Sequence, residues 1–405
     1  MKSKRTLALA AMVALGGAGL AACGATVSPA SSSTAISKAQ TGPIVIGAAI
    51  AKTGWMTIPD QTSMDAFMMV INQVNASGGI HGRKIKVITG DSQTSETVIK
   101  QVTSNLIGQG AKIIVATCNY DIGSPAGIEA QSDNILNVSL CAGSPLWGTQ
   151  GIGPQAYTAA TADYAEGWAI AQFIKEQGWS RPFVLDDESL DYSKQVCTGF
   201  DEHWQELGGK VAGTAQFMNG DASIATQVGS IQSVKPDVIV ACTYTPGGTT
   251  AIRDIRAAGL TTPIVSDFGM TGTDWLNAVP HLSNFYVTAN ASLYGDDPDP
   301  KVNQFVKQYV ALYGSSGLQN TSVTVGYTCA QMIVDALEKD GGNTDGPALS
   351  AVLDKFTNYP TLLPTTYTPS IHINAKRPIR ILRYTNGTPA FFKMIDITGN
   401  VDLHL

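Results

Sequence analysis

Six cysteines are the residues of this 405-residue chain with the most distinctive chemistry. None stands in a Cys-x-x-Cys pair or beside a histidine at metal-binding spacing, so the sequence does not predict a zinc site. Cys118 and Cys141 each come just after a short apolar run that is typical of a strand. Neighbouring strands lie about 4.8 Å apart, which is within disulfide reach when their ends are level. The sequence therefore predicts a Cys118–Cys141 disulfide, and it leaves Cys197, Cys242 and Cys329 without an assigned partner.

The sequence offers no arrangement of nucleophile and base that is typical of an enzyme. It contains no G-x-S-x-G turn and no H-E-x-x-H helix, and its five histidines are scattered along the chain. The acidic stretch Asp296-Asp297-Pro298-Asp299 lacks the spacing of a calcium loop and is typical of a solvated turn. We therefore expect a protein that is not an enzyme and that needs no metal or cofactor.

The first 23 residues have the order of an export signal. A basic start, Met1 to Arg5, precedes an apolar run that ends at Leu20 and is too short for a membrane span of roughly 20 apolar residues. The stretch Leu20-Ala21-Ala22-Cys23 resembles the bacterial lipobox, in which the cysteine becomes the first mature residue and receives lipid such as palmitate. We expect residues 1–22 to be a lipoprotein signal peptide and Cys23 to be the lipidation site. The alternative is an ordinary secretory signal with a chance cysteine.

This leader predicts a protein anchored by lipid to the extracytoplasmic face of the cell membrane. Residues 23–43 include a Ser-rich stretch that is typical of a flexible tether. The net charge of -6 and the absence of a basic stripe argue against a nucleic-acid partner. We expect the mature protein to act as a monomer.

From Ile44 onward, short apolar runs alternate with helical patterns. Ile44–Ile50 is typical of a buried strand, and apolar residues then recur at i, i+3, i+4 and i+7 between Met64 and Ile71, which indicates one face of a helix. The alternation runs through two successive series, and it predicts two α/β lobes, each with a parallel sheet covered on both faces. After residue 365 the pattern becomes β-rich, with a short strand expected at Ile371–Ile373 and a turn at Asn386-Gly387.

An ordered series of stretches resembles the periplasmic solute-binding proteins of branched-chain amino acid ABC transporters, the Leu/Ile/Val-binding family. The opening strand is followed by Thr53-Gly54, and the first helix ends in Gly78-Gly79-Ile80-His81-Gly82. Asp91 closes the second strand, where the family usually has Asp. Ile252–Leu260 resembles the "R-x-A-x-x-x-G" helix end of the family, and Asp191-Tyr192 fits as well. The resemblance spans about residues 44 to 400.

The resemblance implies the type I periplasmic binding fold, in which two doubly wound α/β lobes are joined by three crossings. We place these crossings near Thr158, Thr288 and Thr365. The N-terminal lobe would then comprise residues 44–158 plus 288–364, and the C-terminal lobe residues 159–287 plus 365–405. Parallel sheets bind ligands at the carboxyl ends of their strands, so the ligand would lie in a cleft between the lobes that closes by hinge motion.

The candidate ligand-binding residues lie in loops at the predicted strand ends. They are Trp55, Cys118, Asn119, Tyr120, Asp121, Cys141, Ala142, Gly143 and Ser144 in the first lobe, and Tyr192, Tyr244, Asp267 and Phe268 in the second. Each also has a purely structural interpretation: Trp55 could seal a loop, the tyrosines could lie at the surface, and Asp267 could cap a helix.

Two departures from the family leave the ligand open. Amino-acid binders usually have a Ser-rich loop in place of Asn119-Tyr120-Asp121, and they have Ala and Thr in place of Cys141-Ala142-Gly143. They also carry an acid for the ligand ammonium; Asp121 or Asp267 could serve, although direct matching puts Phe268 near that place. An α-amino acid and a more aromatic or amide-like molecule fit about equally well.

The leading functional hypothesis is a lipoprotein that captures a small molecule and delivers it to the membrane permease of an ABC importer. The alternative on the same fold is a ligand sensor that signals to a membrane partner. A secreted hydrolase is a third class, which the missing nucleophile–base pair disfavours.

Overall fold

The computed structural model describes residues 42–405, so the predictions for the signal peptide and for Cys23 lie outside the described residues. Within these residues, twelve strands form two sheets. In chain order the strands are β1 (Ile44–Ile50), β2 (Ile85–Asp91), β3 (Ile113–Ala116), β4 (Leu136–Ser139), β5 (Ala156–Thr158), β6 (Pro182–Asp187), β7 (Gly213–Phe217), β8 (Val238–Cys242), β9 (Ile264–Ser266), β10 (Phe285–Ala289), β11 (Ile379–Thr385) and β12 (Thr388–Ile395).

Ten α-helices cover the two sheets in the described part of the chain. They are α1 (Thr57–Ala76), α2 (Glu96–Gly108), α3 (Tyr120–Ser132), α4 (Asp163–Glu176), α5 (Asp191–Glu206), α6 (Ala225–Val234), α7 (Gly247–Ala257), α8 (Pro300–Tyr313), α9 (Ser322–Lys339) and α10 (Gly346–Leu353). Between residues 42 and 405, no helix is both long enough and apolar enough to cross a membrane.

The first sheet has the order β2-β1-β3-β4-β5 and is parallel throughout. Its central strand β3 reads Ile-Ile-Val-Ala and is completely buried, as expected for a parallel strand with both faces covered. Successive residues point to opposite faces: Ile113 packs in the core beneath α1 and α9, whereas Ile114 packs beneath α2 and α3. We call this sheet and its helices the first lobe.

The second sheet has the order β12-β11-β10-β9-β8-β6-β7, and with its helices it forms the second lobe. It is parallel from β7 to β10, but β11 and β12 are antiparallel additions at one edge. The predicted doubly wound sheet is therefore extended by a hairpin. Asn386 and Gly387 form its two-residue turn with φ values of 51° and 76°, and positive φ at both positions is the geometry that favours Asn-Gly.

The chain passes between the lobes after β5, after β10 and before β11. The segment expected to form a strand at Ile371–Ile373 is not one, because its backbone bonds to the first crossing instead. The carbonyl oxygen of His372 accepts from the Thr158 N–H at 3.1 Å, and that of Asn374 accepts from the Ala162 N–H at 3.0 Å. Two of the three crossings therefore run side by side.

Glycines allow the helices α4 and α5 of the second lobe to approach closely. A Cβ atom on Gly167 would lie 2.0 Å from the carbonyl oxygen of Val196, and one on Gly199 would lie 2.2 Å from that of Tyr164. The same lobe carries a disulfide between Cys197 of α5 and Cys242 at the end of β8, a pairing that the sequence did not predict. These contacts fix the start of α4, which carries two residues of the site described next.

Candidate ligand-binding cleft

A cavity of about 150 Å³ lies between the two lobes. Loops that follow β1, β3 and β4 line one side, and loops that follow β6, β8 and β9 line the other. The carboxyl ends of parallel strands from both sheets therefore meet at this cleft, which is the usual ligand position in open α/β sheets. An apolar cavity of about this volume can bind a molecule the size of benzene, so the cleft suits a small organic molecule.

A disulfide joins two loops of the first-lobe wall. The register of β3 and β4 pairs Ala116 with Ser139, which brings the following residues level. Cys118 and Cys141 have Cα atoms 4.4 Å apart and share an S–S bond of 2.03 Å, which is the pairing that the sequence predicts. Both cysteines line the cavity, so the disulfide is part of its surface.

A buried carboxylate, that of Asp60 at the start of α1, holds this wall from behind. One oxygen accepts the N–H of Cys118 at 2.7 Å, and the other accepts the N–H of Ala51 at 2.6 Å. Burial raises the pKa of Asp60 to about 6, although these two hydrogen bonds oppose the shift. Asp60 does not line the cavity, so its function is to fix the loop that carries Cys118.

The loop after β3 begins α3 and reaches across the cleft. The Asn119 side chain accepts the N–H of Ile122 at 2.8 Å and so caps the helix. Asp121 accepts the N–H of Asp191, on the opposite lobe, at 3.2 Å. Burial and then the Asp191 carboxylate raise the pKa of Asp121 to about 6.

The mouth of the cleft is closed by aromatic and polar contacts between the lobes. The rings of Trp55 and Tyr244 lie 5.4 Å apart at a tilt of 35°, which is within the range of attractive aromatic pairs. Ser144 accepts from the Gln195 side chain at 3.2 Å. Trp55 is still 43% exposed, so these contacts form a rim rather than a core.

The second-lobe wall is organised around the buried carboxylate of Glu166, in the first turn of α4. Its Oε2 atom accepts from the Phe268 N–H at 3.0 Å, from the Thr288 hydroxyl at 3.2 Å and from the Tyr192 hydroxyl at 3.4 Å. Its Oε1 atom is also buried, and no group among residues 42–405 donates a hydrogen bond to it. Glu166 thus has one satisfied oxygen and one unsatisfied oxygen, and the residue lines the cavity.

Asp163 stands one turn before Glu166 and also lines the cavity. The Asp163 side chain is 2% exposed. Gly143 leaves room for it, since a Cβ atom there would lie 1.9 Å from Asp163 Oδ1. Burial raises the pKa of Asp163 and of Glu166 well above their usual values, and the nearby Asp267 carboxylate raises both further.

The structure places twelve of the thirteen candidate residues on the cavity and differs from the expectation at Asp267. Asp267 is completely buried behind the wall. Its two carboxylate oxygens accept the N–H groups of Thr243 at 2.8 Å and Gly269 at 3.0 Å, the second of which caps a short 3-10 helix at Phe268–Met270. Because both oxygens already have backbone donors, Asp267 stabilises the loop and does not contact the cavity.

Sequence reasoning missed Asp163 and Glu166 as well as Thr321 and Ser322 at the start of α9, which also line the cavity. Acidic residues are common in the first turn of a helix, where they interact favourably with the helix dipole. The residue type alone therefore did not indicate a ligand site. The neighbouring residues did give an indication. The two acids interrupt a run of mostly small and apolar residues from Ala156 to Ile174, and such a run is expected to be buried. A buried acid without a basic neighbour in sequence indicates either a hydrogen-bond network or a site.

Comparisons with known proteins place the chain in a family. The sequence profile described as periplasmic binding protein matches residues 43–389. The Leu/Ile/Val-binding protein homolog 1 of Brucella suis is 20% identical over 313 residues, which cover 77% of this chain and 82% of that protein. The Leu/Ile/Val-binding protein of Escherichia coli is 21% identical over 232 residues, covering 57% of this chain and 63% of that protein.

Solved structures show the same fold. The branched-chain amino acid transporter substrate-binding protein LivJ from Streptococcus pneumoniae, in complex with isoleucine, has a TM-score of 0.75 at 19% identity and covers 87% of this chain and 99% of its own. A solute-binding protein of an ABC transporter from R. palustris, in complex with benzoate, has a TM-score of 0.72 at 16% identity, with 87% and 96% covered. The predicted type I periplasmic binding fold is thus confirmed, and these similar proteins are binding proteins rather than enzymes. The chain belongs to the periplasmic binding protein family.

Proposed function

We propose that this protein captures a small organic molecule in the cleft between its lobes and delivers it to the membrane permease of an ABC importer. The observation that carries the proposal is the cavity between the lobes, which strand-end loops of both lobes line in a chain of this family. The contacts between Trp55 and Tyr244 and between Asp121 and Asp191 exist only when the lobes are together. A ligand that binds between the lobes would stabilise this closed state, and the permease would then distinguish closed from open protein.

The similar structures support a small organic ligand and leave its class open. One binds isoleucine and another binds benzoate, so proteins of this fold accept both amino acids and aromatic acids. The cavity of this chain combines aromatic side chains with polar groups, which suits a molecule of that size.

Ligand binding is tested by a thermal-shift screen of amino acids, aromatic acids, amides and amines against the mature protein. A molecule that binds the native state raises the melting midpoint in proportion to its concentration over its Kd. The variant Tyr244→Leu removes an aromatic residue of the cavity. It should reduce the ligand-induced rise of the melting midpoint without abolishing folding. If no small molecule raises the midpoint and the chain instead binds a protein tightly, the transport proposal is overturned.

Transport and sensing differ in what a deletion strain loses. Deleting the gene should abolish uptake of the radiolabelled ligand, and wild-type protein supplied in trans should restore it. A strain that keeps normal uptake but loses its transcriptional response to the ligand would instead support the sensing alternative.

We also propose that the protein works as a lipoprotein tethered through Cys23, supported by the lipobox-like stretch Leu20-Ala21-Ala22-Cys23. A tethered receptor remains at high local concentration beside its permease. Metabolic labelling with a palmitate analogue should mark the wild-type chain and leave Cys23→Ser unmarked and released into the medium. Labelling of the serine variant would contradict this anchoring.

A further inference from the structure

Buried carboxylates in this protein fall into two groups according to their hydrogen bonds. Six acidic side chains are buried in the described chain: Asp60, Asp163, Glu166, Asp187, Asp267 and Asp297. In four of them both oxygens accept hydrogen bonds, as described for Asp60 and Asp267. Asp187 and Asp297 have partners on both oxygens too, and for Asp297 these include the bidentate guanidinium of Arg380 at 3.0 and 3.1 Å. Hydrogen bonding is thus complete for the four fully buried acids outside the cleft, although two less buried acids, Asp186 and Asp201, each keep one buried oxygen without a donor.

The other two buried acids are Asp163 and Glu166, and both face the cleft. The Oε1 atom of Glu166 is buried and accepts no hydrogen bond from any residue that the structure describes, and the buried Asp163 carboxylate lies one helical turn away on the same cavity wall. Leaving a buried charged group unsatisfied is costly, so a partner from outside the chain is expected at this point. A partner with N–H donors would stabilise the ionised carboxylate, which burial otherwise disfavours, because a carboxylate accepts hydrogen bonds.

The charge of the cavity decides which donors fit. Four carboxylates line it, those of Asp121, Asp163, Glu166 and Asp274, and no Lys, Arg or His of the described chain does so. None of the ion pairs within residues 42–405 involves Asp163 or Glu166. A ligand carboxylate would therefore meet like charges without a cationic partner, whereas a protonated nitrogen would be attracted to them.

The surrounding side chains suit an organic cation rather than a metal ion. No group of three or more His, Cys, Asp or Glu side chains in the described part of the chain is arranged to hold a metal. Tyr192, Tyr244 and Phe268 line the same cavity together with Trp55. Aromatic faces attract organic cations and pack against the apolar body that carries them.

We propose that the ligand of this cleft is a net cation, an amine, amidine or guanidine without a balancing carboxylate, whose N–H groups bind Asp163 and Glu166. This inference rests on the proposed function in small-molecule capture, and it narrows the ligand class. It separates this chain from the similar structures that hold isoleucine or benzoate, because each of those ligands has a carboxylate.

The test uses two series of probes with matched shape and different charge, measured by calorimetry on the mature protein. Benzoate, benzamide and benzamidine form the aromatic series, and hexanoate, hexanamide and hexylamine form the aliphatic one. In at least one series we expect the cation to bind at least about tenfold more tightly than the neutral amide, and we expect the anion to show no binding.

Two variants test whether Glu166 is the residue that recognises the positive charge of the ligand. Glu166→Gln keeps the shape and the accepting oxygen but removes the charge, so it should weaken binding of the cation by about tenfold and leave binding of the amide unchanged. Glu96→Gln is the matched control, since Glu96 also stands in the first turn of a helix but is exposed, and it should change neither affinity.

The outcomes separate this inference from the proposed function. If an anion or a zwitterionic amino acid binds as tightly as any cation, or if Glu166→Gln binds the cation like the wild type, the charge inference is overturned while small-molecule capture stands. If neither series shows a preference for the cation, the inference is also overturned. If the full screen yields no small-molecule ligand at all, both proposals fail together.

Discussion

Asp60 and Glu166 are two buried carboxylates on opposite walls of the same cleft, and they differ in how they are satisfied. Both side chains are completely buried, and burial raises the pKa of each. Asp60 lies behind the first-lobe wall, where each of its oxygens accepts a backbone N–H. Glu166 lies in the second-lobe wall, where one oxygen accepts three hydrogen bonds and the other accepts none from the described residues. The comparison teaches that burial alone does not distinguish a structural acid from a binding acid, and that an unsatisfied oxygen indicates a binding acid only where it also faces the cavity, since Asp186 and Asp201 keep such an oxygen outside it.

The largest effect should follow from changing the structural acid. Asp60→Asn replaces one accepting oxygen with an NH₂ group, so either the Ala51 N–H or the Cys118 N–H loses its acceptor and faces another donor. We expect the free energy of unfolding to fall by about 2–4 kcal/mol, measured by urea denaturation. The control is Asp65→Asn on the same helix, where the carboxylate bonds only to the Gln61 side chain and the change should stay within about 0.5 kcal/mol. Equal losses in the two variants would contradict the structural assignment of Asp60.

Changing the binding acid should have the opposite sign. Glu166→Gln removes a carboxyl group whose charged form is disfavoured by burial, and it retains an oxygen for Phe268, Tyr192 and Thr288. Without ligand, we expect the free energy of unfolding to rise by about 1–2 kcal/mol in the same urea experiment. A loss as large as that of Asp60→Asn would show that the two carboxylates have the same structural function.

The stabilisation by Glu166→Gln should grow with pH. The folded-state pKa of Glu166 is raised by burial and by its neighbours Asp267 and Asp163, while in the unfolded chain glutamate has a pKa of about 4.3. Between these values the folded wild type binds more protons than the unfolded chain, so this group's contribution to stability is lost as the pH rises. Tyr192, which contacts the same carboxylate, has a pKa raised by burial and stays neutral throughout. Urea denaturation at pH 5 and pH 8 should therefore show a larger difference between variant and wild type at pH 8, and a constant difference would contradict the raised pKa.

The smallest effect should come from the rim. Tyr244→Leu removes the ring that packs against Trp55 but leaves both buried carboxylates in place. Since an aromatic pair contributes about 0.5–1.5 kcal/mol and this one is partly exposed, we expect a loss of about 0.5 kcal/mol in the free energy of unfolding. A loss above about 2 kcal/mol would mean that the rim, and not the two walls, holds the lobes together.

Much of the architecture follows from the sequence because its elements have strong local signals. The buried run Ile113–Ala116 has the composition of a parallel strand with both faces covered, and Asn386-Gly387 is a strong signal for a turn between two adjacent strands. Ile371–Ile373 was misassigned because its apolar residues have the composition of a strand. Its backbone partners belong to a crossing some 210 residues away, and no local pattern reveals them.

The site was less accessible to sequence reasoning than the fold. Strand-end loops such as that of Cys118 could be located once the strands were known, because parallel strands end at the same edge. Asp267 could be located in the same way, yet the direction of its carboxylate depends on Thr243, a residue of another loop. Glu166 was missed because its importance lies in an absent hydrogen bond, and a missing partner is visible only when all neighbours are placed.

The contact between Trp55 and Tyr244 also has an optical consequence. Trp147, Trp168, Trp204 and Trp275 are buried, and the half-buried Trp179 packs on Phe173 and Tyr286 of its own lobe, so hinge opening should change the surroundings of Trp55 the most. Trp55 belongs to one lobe and packs against the other, so opening transfers its indole ring from a tyrosine face into water. Its fluorescence should therefore shift to longer wavelength when the lobes separate, and the protein carries its own reporter of ligand-driven closure.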